Sequence, residues 1–349
     1  MLSPGDAALV KRDTAIPGLA TLLDQEAFAG VLQGALTERT IEAVSARYVR
    51  YKPGENCLVA YEVSTDTGEM HLYAKARRPG RRTKDRAPNT SPAAAGSATG
   101  GSDTLKALSI ALYVMAHDPK LPALARLDDA GEQARLLEAL MPGQPAFRGA
   151  HVRRLRYKPE RRYVGQVVGE HGECAVLKLY SEAEYRAARR GADAFSCAGT
   201  PWLARPIGIS DEYQALAYEW LPGCSLDAAM RTSEWSSELP ARAGAALAEL
   251  HTHMAAGLAE EPDDPAAPLV AAAESIAALC PELGPCARNL ANRLAADLAQ
   301  SRVTPCPIHG DFYADQVLVF GDAVTLLDLD NAGYGDPAAD LGSFVAHSL

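Results

Sequence analysis

The sequence predicts an α+β protein in two lobes. Three features carry that expectation: a strand pattern that occurs twice, a helix-rich stretch from Leu226 onward, and a C-terminal hairpin bearing clustered acidic residues.

The repeat comes first in the argument, because self-similarity reports duplicated structural units. YVRYKPGENCLVAYEV occupies residues 48–63 and is followed by HLYAKA ending at Ala76. RLRYKPERRYVGQVV occupies residues 154–168 and is followed by CAVLKLY ending at Tyr180. Each copy reads as a strand, a turn opened by Lys-Pro, a second strand, a polar turn and a third strand with one lysine, Lys75 or Lys178. The alternation of Val, Tyr, Leu and Cys between Pro and Gly turn signals has a period of two, which suits a strand and not a helix.

Between the copies, residues 81–103 consist mainly of Ser, Gly, Pro, Thr, Ala and charged residues and are expected to form a flexible loop. Residues 128–143 read as a helix with an acidic start and a Pro-Gly stop. After Lys178, SEAEYRAARRGADAF reads as a helix with Ser181 as N-cap and Glu184 placed for a capping box. Two short strands and a turn at Pro222-Gly223 follow, and then three stretches with apolar residues at three- and four-residue intervals. The expected division is an N-terminal unit over 1–148, a strand-rich lobe over 149–221 and a helical lobe over 222–349.

The length of 349 residues allows a sizeable core, and 48% hydrophobic against 22% charged residues fits a soluble globular chain. A net charge of -10 argues against a general nucleic-acid binder, which needs a broad basic face. The first residues lack an apolar core of signal-peptide length, and no stretch approaches the roughly 20 apolar residues of a membrane span. A cytoplasmic protein with no membrane partner is therefore expected. The seven cysteines form no CxxC pair and no zinc-type cluster, so they read as core residues or free thiols.

The chemistry concentrates at CPIHGDFYADQVLVFGDAVTLLDLDNAGYGDPAADLGSF. His309, Gly310 and Asp311 are followed by Gln316 and a strand, and a second strand delivers Asp328, 17 residues after Asp311. Phosphoryl transfer needs a carboxylate to orient and deprotonate a hydroxyl, and oxygen donors to hold a divalent ion. A hairpin can bring such groups to one edge. An aspartate after glycine also caps turns, but the coincidence with Asp328 and the GDP segment favours the chemical reading.

HGDFYADQ resembles the HGDxxxxN motif of aminoglycoside phosphotransferases and choline kinases, and LLDLDNAGYGDPAADLG resembles their metal-binding segment. The likeness covers roughly residues 152–349. It implies a protein-kinase-like bilobal fold that moves the terminal phosphate of ATP onto a small-molecule hydroxyl with Mg2+. It also implies Asp311 as catalytic base, His309 as a brace of the catalytic loop, and Gln316 and Asp328 as metal ligands, with Asp330 the alternative to Asp328. Lys178 is the expected contact for the ATP phosphates. Its carboxylate partner is taken as Glu184, with Glu182 and Asp193 left open. The adenine is expected against the backbone of Glu219, Trp220 and Leu221. Asp336 and Asp340 are expected to hold the segment together.

Lys75, the counterpart of Lys178, reads as a structural leftover, and Lys158, Arg161 and Arg162 read as a solvated turn or a clamp over phosphates. The family pattern has Asn where this chain has Gln316, which puts metal affinity in doubt. The family usually continues through further helices past this point, so the chain is expected to be C-terminally truncated or to build its acceptor pocket otherwise. The alternative to an enzyme is a weak or inactive kinase-like binding protein.

Overall fold

A computed structural model describes residues 1–80, 99–196, 202–232, 238–258, 266–300 and 303–349. Most of the expected loop over 81–103 lies outside the described residues, and its last part, from Thr99, is already helical.

The chain forms two compact units. The first comprises residues 1–124, 158–160 and 270–292. It begins with helices α1 (Pro4–Arg12), α2 (Leu19–Leu23) and α3 (Gln25–Ala35). Ser3 and Asp24 cap α1 and α3 by accepting hydrogen bonds from first-turn amides. Strands β1 (Ile41–Lys52), β2 (Asn56–Thr65) and β3 (Gly68–Arg77) follow, then α4 (Thr99–Ala107) and β4 (Ile110–Val114). They form an antiparallel sheet in the order β1-β2-β3-β4. Cys57, Val59, Tyr61 and Val63 alternate onto one face and pack with Leu19, Leu22, Phe28 and Leu32, with Phe28 stacked on Tyr61 at 4.0 Å. The period of two leaves Tyr73 and Lys75 on the opposite face.

The second unit comprises residues 125–157, 161–269 and 293–349. Helix α5 (Ala130–Leu140) precedes strands β5 (His151–Lys158), β6 (Arg162–Val168) and β7 (Cys174–Tyr180). Helix α6 (Glu182–Ala194), β8 (Pro206–Ser210) and β9 (Ala215–Glu219) follow, and the sheet order is β5-β6-β7-β9-β8. Past it come β10 (Cys224–Ser225), α7 (Leu226–Met230) and α8 (Glu238–Thr252), then α9 (Ala267–Leu279) and α10 (Gly284–Gln300), whose residues 270–292 belong to the first unit. Strands β11 (Cys306–Ile308), β12 (Val317–Phe320), β13 (Ala323–Leu326) and β14 (Gly333–Gly335) and helix α11 (Ala338–Ser348) complete the chain. The helical part has its own core, in which Leu226, Leu247, Leu250, Phe312, Val317 and Leu326 meet.

The repeat is structural. Lys75 lies opposite Leu58 and Lys178 opposite Val164, and each of those partners stands six residues after the lysine of its own Lys-Pro turn. Both third strands also pair with a further antiparallel strand, β4 in one copy and β9 in the other.

The unit boundaries differ from those drawn on the sequence. Residues 125–148 group with the second unit, because α5 lies on β8 closely enough that a Cβ on Gly208 would meet the Leu140 carbonyl at 2.3 Å. Residues 270–292 group with the first, where Arg12 donates to the Leu279 carbonyl at 2.5 Å. The capping box at Ser181 does not form either: Ser181 N–H donates to the Arg161 carbonyl at 2.8 Å and the serine hydroxyl makes no cap bond. Among the described residues no helix is long and apolar enough to cross a membrane.

Candidate active site

The β12–β13 hairpin pairs Val317 with Leu326, and one more backbone bond, from Leu327 N–H to the Gln316 carbonyl at 2.8 Å, carries the pairing past its end. Gln316, itself buried, thus stands at the hairpin end from which Asp328 emerges. Asp328 adopts left-handed backbone, φ +63 and ψ 56, a conformation that Asp tolerates better than most side chains. It turns the chain into a short helical turn at 329–331 that brings Asp330 back beside it. Helix α6 packs directly on this turn, with Gly191 so close that a Cβ would meet the Leu329 carbonyl at 2.3 Å.

Lys178 and Arg162 meet this acidic pair. Lys178 Nζ lies 2.5 Å from Asp328 Oδ1 and 3.1 Å from Asp330 Oδ1. Arg162 places Nη2 at 3.2 Å from Asp328 Oδ2 and Nη1 at 2.8 Å from Asp330 Oδ2, and Tyr180 donates its hydroxyl to Asp330 at 3.0 Å. The Lys178 ammonium also stands 5.2 Å from the centroid of the Tyr218 ring. The two cations and two carboxylates balance in charge where little solvent reaches, since Lys178 is 9% and Asp330 5% exposed.

That enclosure separates the two acids. Burial pushes the Asp330 carboxyl up to about 6, with Asp328's charge adding to it against the pull of Lys178 and Arg162. Burial acts on Asp328 as well, but the adjacent Lys178 and Arg162 outweigh it and hold the carboxyl well below the usual range. Burial works against the charge on Lys178, but Asp328 and Asp330 outweigh it and raise its pKa. Desolvation this costly is rarely kept for stability alone, and it concentrates at functional sites.

The His309–Asp311 loop is fixed from behind. Asp340, 1% exposed, accepts from His309 N–H at 2.8 Å and Gly310 N–H at 2.9 Å, and its Oδ2 lies 3.0 Å from His251 Nε2. His309 donates Nε2–H to the Leu327 carbonyl at 2.8 Å, tying the loop to the segment that carries Asp328. Its ring is fully buried, and burial lowers its pKa. The enclosed ring thus ties the loop to the chain leading into Asp328. Gly310 has φ +77, and a Cβ there would meet the Asn331 carbonyl at 2.3 Å, so only glycine lets the two segments approach. Asp311 follows directly, partly exposed.

Glu184 does not partner Lys178. Its carboxylate accepts from Arg161 at 2.7 Å, because Arg161 and Glu184 both point to the exposed side of the β6–α6 corner while Lys178 points inward to the acidic pair. Arg162 is no solvated turn residue: its side chain is 13% exposed and bound to Asp328 and Asp330. The signal for it was present in the alternation. Arg162 precedes Val164 by two, Val164 faces Lys178, and Arg162 pairs with Tyr180, so all four share one face. At the end of β9, Glu219 N–H donates to the Arg205 carbonyl at 3.2 Å and the Glu219 carboxylate accepts from Arg205 N–H at 3.2 Å, while Trp220 is 39% exposed, with Leu221 partly buried beyond it.

Among solved structures the chain is similar to a choline/ethanolamine kinase family protein from Mesorhizobium loti, at 18% identity and a TM-score of 0.46, covering 62% of this chain and 70% of that one. It is also similar to a macrolide 2'-phosphotransferase from Brachybacterium faecium, at 22% identity and a TM-score of 0.42, with 61% and 76% covered. For a choline kinase from Streptococcus pneumoniae the values are 14%, 0.42, 56% and 69%. No curated protein matches the chain by sequence. Residues 162–349, which hold the acidic pair, its cations and the braced loop, match the phosphotransferase enzyme family, and the chain belongs to that family.

Proposed function

We propose that the protein transfers the terminal phosphate of ATP to a hydroxyl of a small molecule, of the aminoglycoside, sugar or amino alcohol class, with Mg2+. The observation that carries this reading is the buried meeting of Lys178 and Arg162 with Asp328 and Asp330 next to the braced Asp311 loop. The donor set fits the metal: two carboxylates side by side and the amide of Gln316 at the same hairpin end are hard oxygen donors of the kind Mg2+ takes. Bound there, the ion would supply positive charge to the phosphate oxygens.

In this reading Asp311 accepts the proton of the acceptor hydroxyl as the new oxygen–phosphorus bond forms and the bridging bond to the leaving diphosphate breaks. Lys178, released from part of its contact with Asp328, offsets phosphate charge, and Arg162 does the same from the neighbouring strand. Asp340, His309 and Gly310 hold Asp311 in place. Glu219, Trp220 and Leu221 offer backbone to the adenine, and Glu184 steadies the β6–α6 corner through Arg161 instead of touching nucleotide. A cytoplasmic location, where ATP is available, goes with this reading.

Gln316 motivates a second reading, a nucleotide-binding protein with little turnover, because its stem is one methylene longer than that of the family's Asn. Mg2+-dependent ATP consumption measured against a panel of aminoglycosides, sugars and amino alcohols separates the two. Turnover that disappears in Asp311→Ala supports the enzyme. Nucleotide binding without turnover, unchanged by Asp311→Ala and restored to turnover by Gln316→Asn, supports the second reading. No nucleotide binding at all sinks both.

A further inference from the structure

Residues 158–160 fold as part of the first unit, although the strands on either side belong to the second. Lys75 Nζ lies 2.6 Å and 2.8 Å from the two carboxylate oxygens of Glu160, and Arg50 donates to the same carboxylate. Arg50 also reaches the Pro159 carbonyl at 3.5 Å, and Glu160 N–H donates to Asp118 Oδ2 at 2.8 Å. Lys75 and Asp118 are 9% and 1% exposed, so this grip is built into the interior. Glu160 has φ +61, a strained conformation for a non-glycine residue that persists only where the surroundings dictate it.

Lys75 thus occupies the strand position that Lys178 occupies in the other copy, yet its charge is already matched by a carboxylate of the chain itself. The matching residue stands two positions before Arg162, whose guanidinium contacts Asp328 and Asp330. Only Arg161 stands between Glu160 and Arg162, which enters β6 opposite Tyr180.

We propose that Glu160, gripped by Lys75 and Arg50, is a positioning residue for Arg162. In the first copy the strand lysine holds Glu160 of the β5–β6 turn. The assignment rests on the reading that nucleotide phosphates lie beside Lys178 and Arg162.

The test compares wild type, Glu160→Gln, and the charge exchange Lys75→Glu/Glu160→Lys. Two measurements are made: the affinity for a non-hydrolysable ATP analogue with Mg2+, by calorimetry, and amide hydrogen exchange over residues 160–163. Glu160→Gln should weaken nucleotide binding by about 3- to 30-fold, the range of a coupled position outside a site, and speed exchange over the turn. Because Arg50 then faces a like charge, the charge exchange should recover only part of both. Unchanged exchange over the turn in Glu160→Gln overturns the grip, and faster exchange with unaltered affinity overturns its link to Arg162. Wild type that binds no nucleotide sinks the phosphotransferase reading instead, and the exchange data then still decide whether the turn is held.

Discussion

The ammonium of Lys178 lies 2.5 Å from one carboxylate oxygen of Asp328, a residue 150 positions further along the chain. The contact joins the third strand of the second repeat to the hairpin that carries the acidic motif, so the fold's two best-marked sequence features meet in one ion cluster.

The energetic weight of that cluster can be measured. Lys178→Met leaves Asp328 and Asp330 with Arg162 and the Tyr180 hydroxyl, and breaking a buried pair from one side costs about 3–5 kcal/mol. Adding Asp328→Asn should recover part of the loss, with a coupling of about 0.5–3 kcal/mol in the double-mutant cycle. Urea unfolding of the four proteins gives the value, and additive losses would mean that the two groups are not energetically linked.

The cluster also predicts a pH dependence. The Asp330 carboxyl is raised to about 6, chiefly by burial, so the folded protein keeps a proton that the unfolded chain has released. Its contribution to stability is present below the ordinary carboxyl value and is lost as pH rises through about 6. Asp328 behaves oppositely: held low by Lys178 and Arg162, its contribution is present above the ordinary carboxyl value and is lost as pH falls below it. Relative to Asp330→Asn, metal-free wild type should therefore lose stability as pH climbs toward about 6, by at most about 1.4 kcal/mol per pH unit. Denaturant unfolding at stepped pH with a chelator present reads the slope, and a constant difference would place the proton on another group.

Much of this was legible in the residues. Period-two alternation gave both meanders and the equivalent place of the two lysines on their third strands, because a strand with one buried face leaves little freedom in pairing. The HGD and acidic motifs gave the hairpin end where Gln316 and Asp328 stand. The partner of Lys178 was not legible from its neighbourhood in sequence. Glu184 is six residues away, yet the pleat sends Lys178 inward and the helix start sends Glu184 to Arg161, while the true partners arrive from the far end of the chain. The grip of Lys75 on Glu160 was hidden for the same reason, since 85 residues separate them. Long-range ionic pairing is fixed by packing, and local pattern does not encode it.

The loop before Asp311 yields the last prediction. Gly310 and Asp340 hold it by different means: one leaves room for the Asn331 carbonyl, the other accepts from two successive backbone N–H groups. Gly310→Ala adds a Cβ 2.3 Å from that carbonyl in a left-handed backbone, so the loop must move. Asp340→Asn keeps shape but offers an amide N–H where an acceptor was needed, leaving a buried donor unmatched at a cost of about 1–3 kcal/mol. Neither residue is placed against nucleotide. On the proposed role of Asp311 as base, both substitutions should lower turnover about 100-fold, the loss expected from displacing a reacting group by roughly 1 Å, while nucleotide affinity changes by less than about 3-fold. Steady-state kinetics paired with calorimetric nucleotide binding separates the two effects. If affinity falls in step with turnover, the loop supports nucleotide binding as well as the position of Asp311, and the division of labour drawn between the two motifs is wrong.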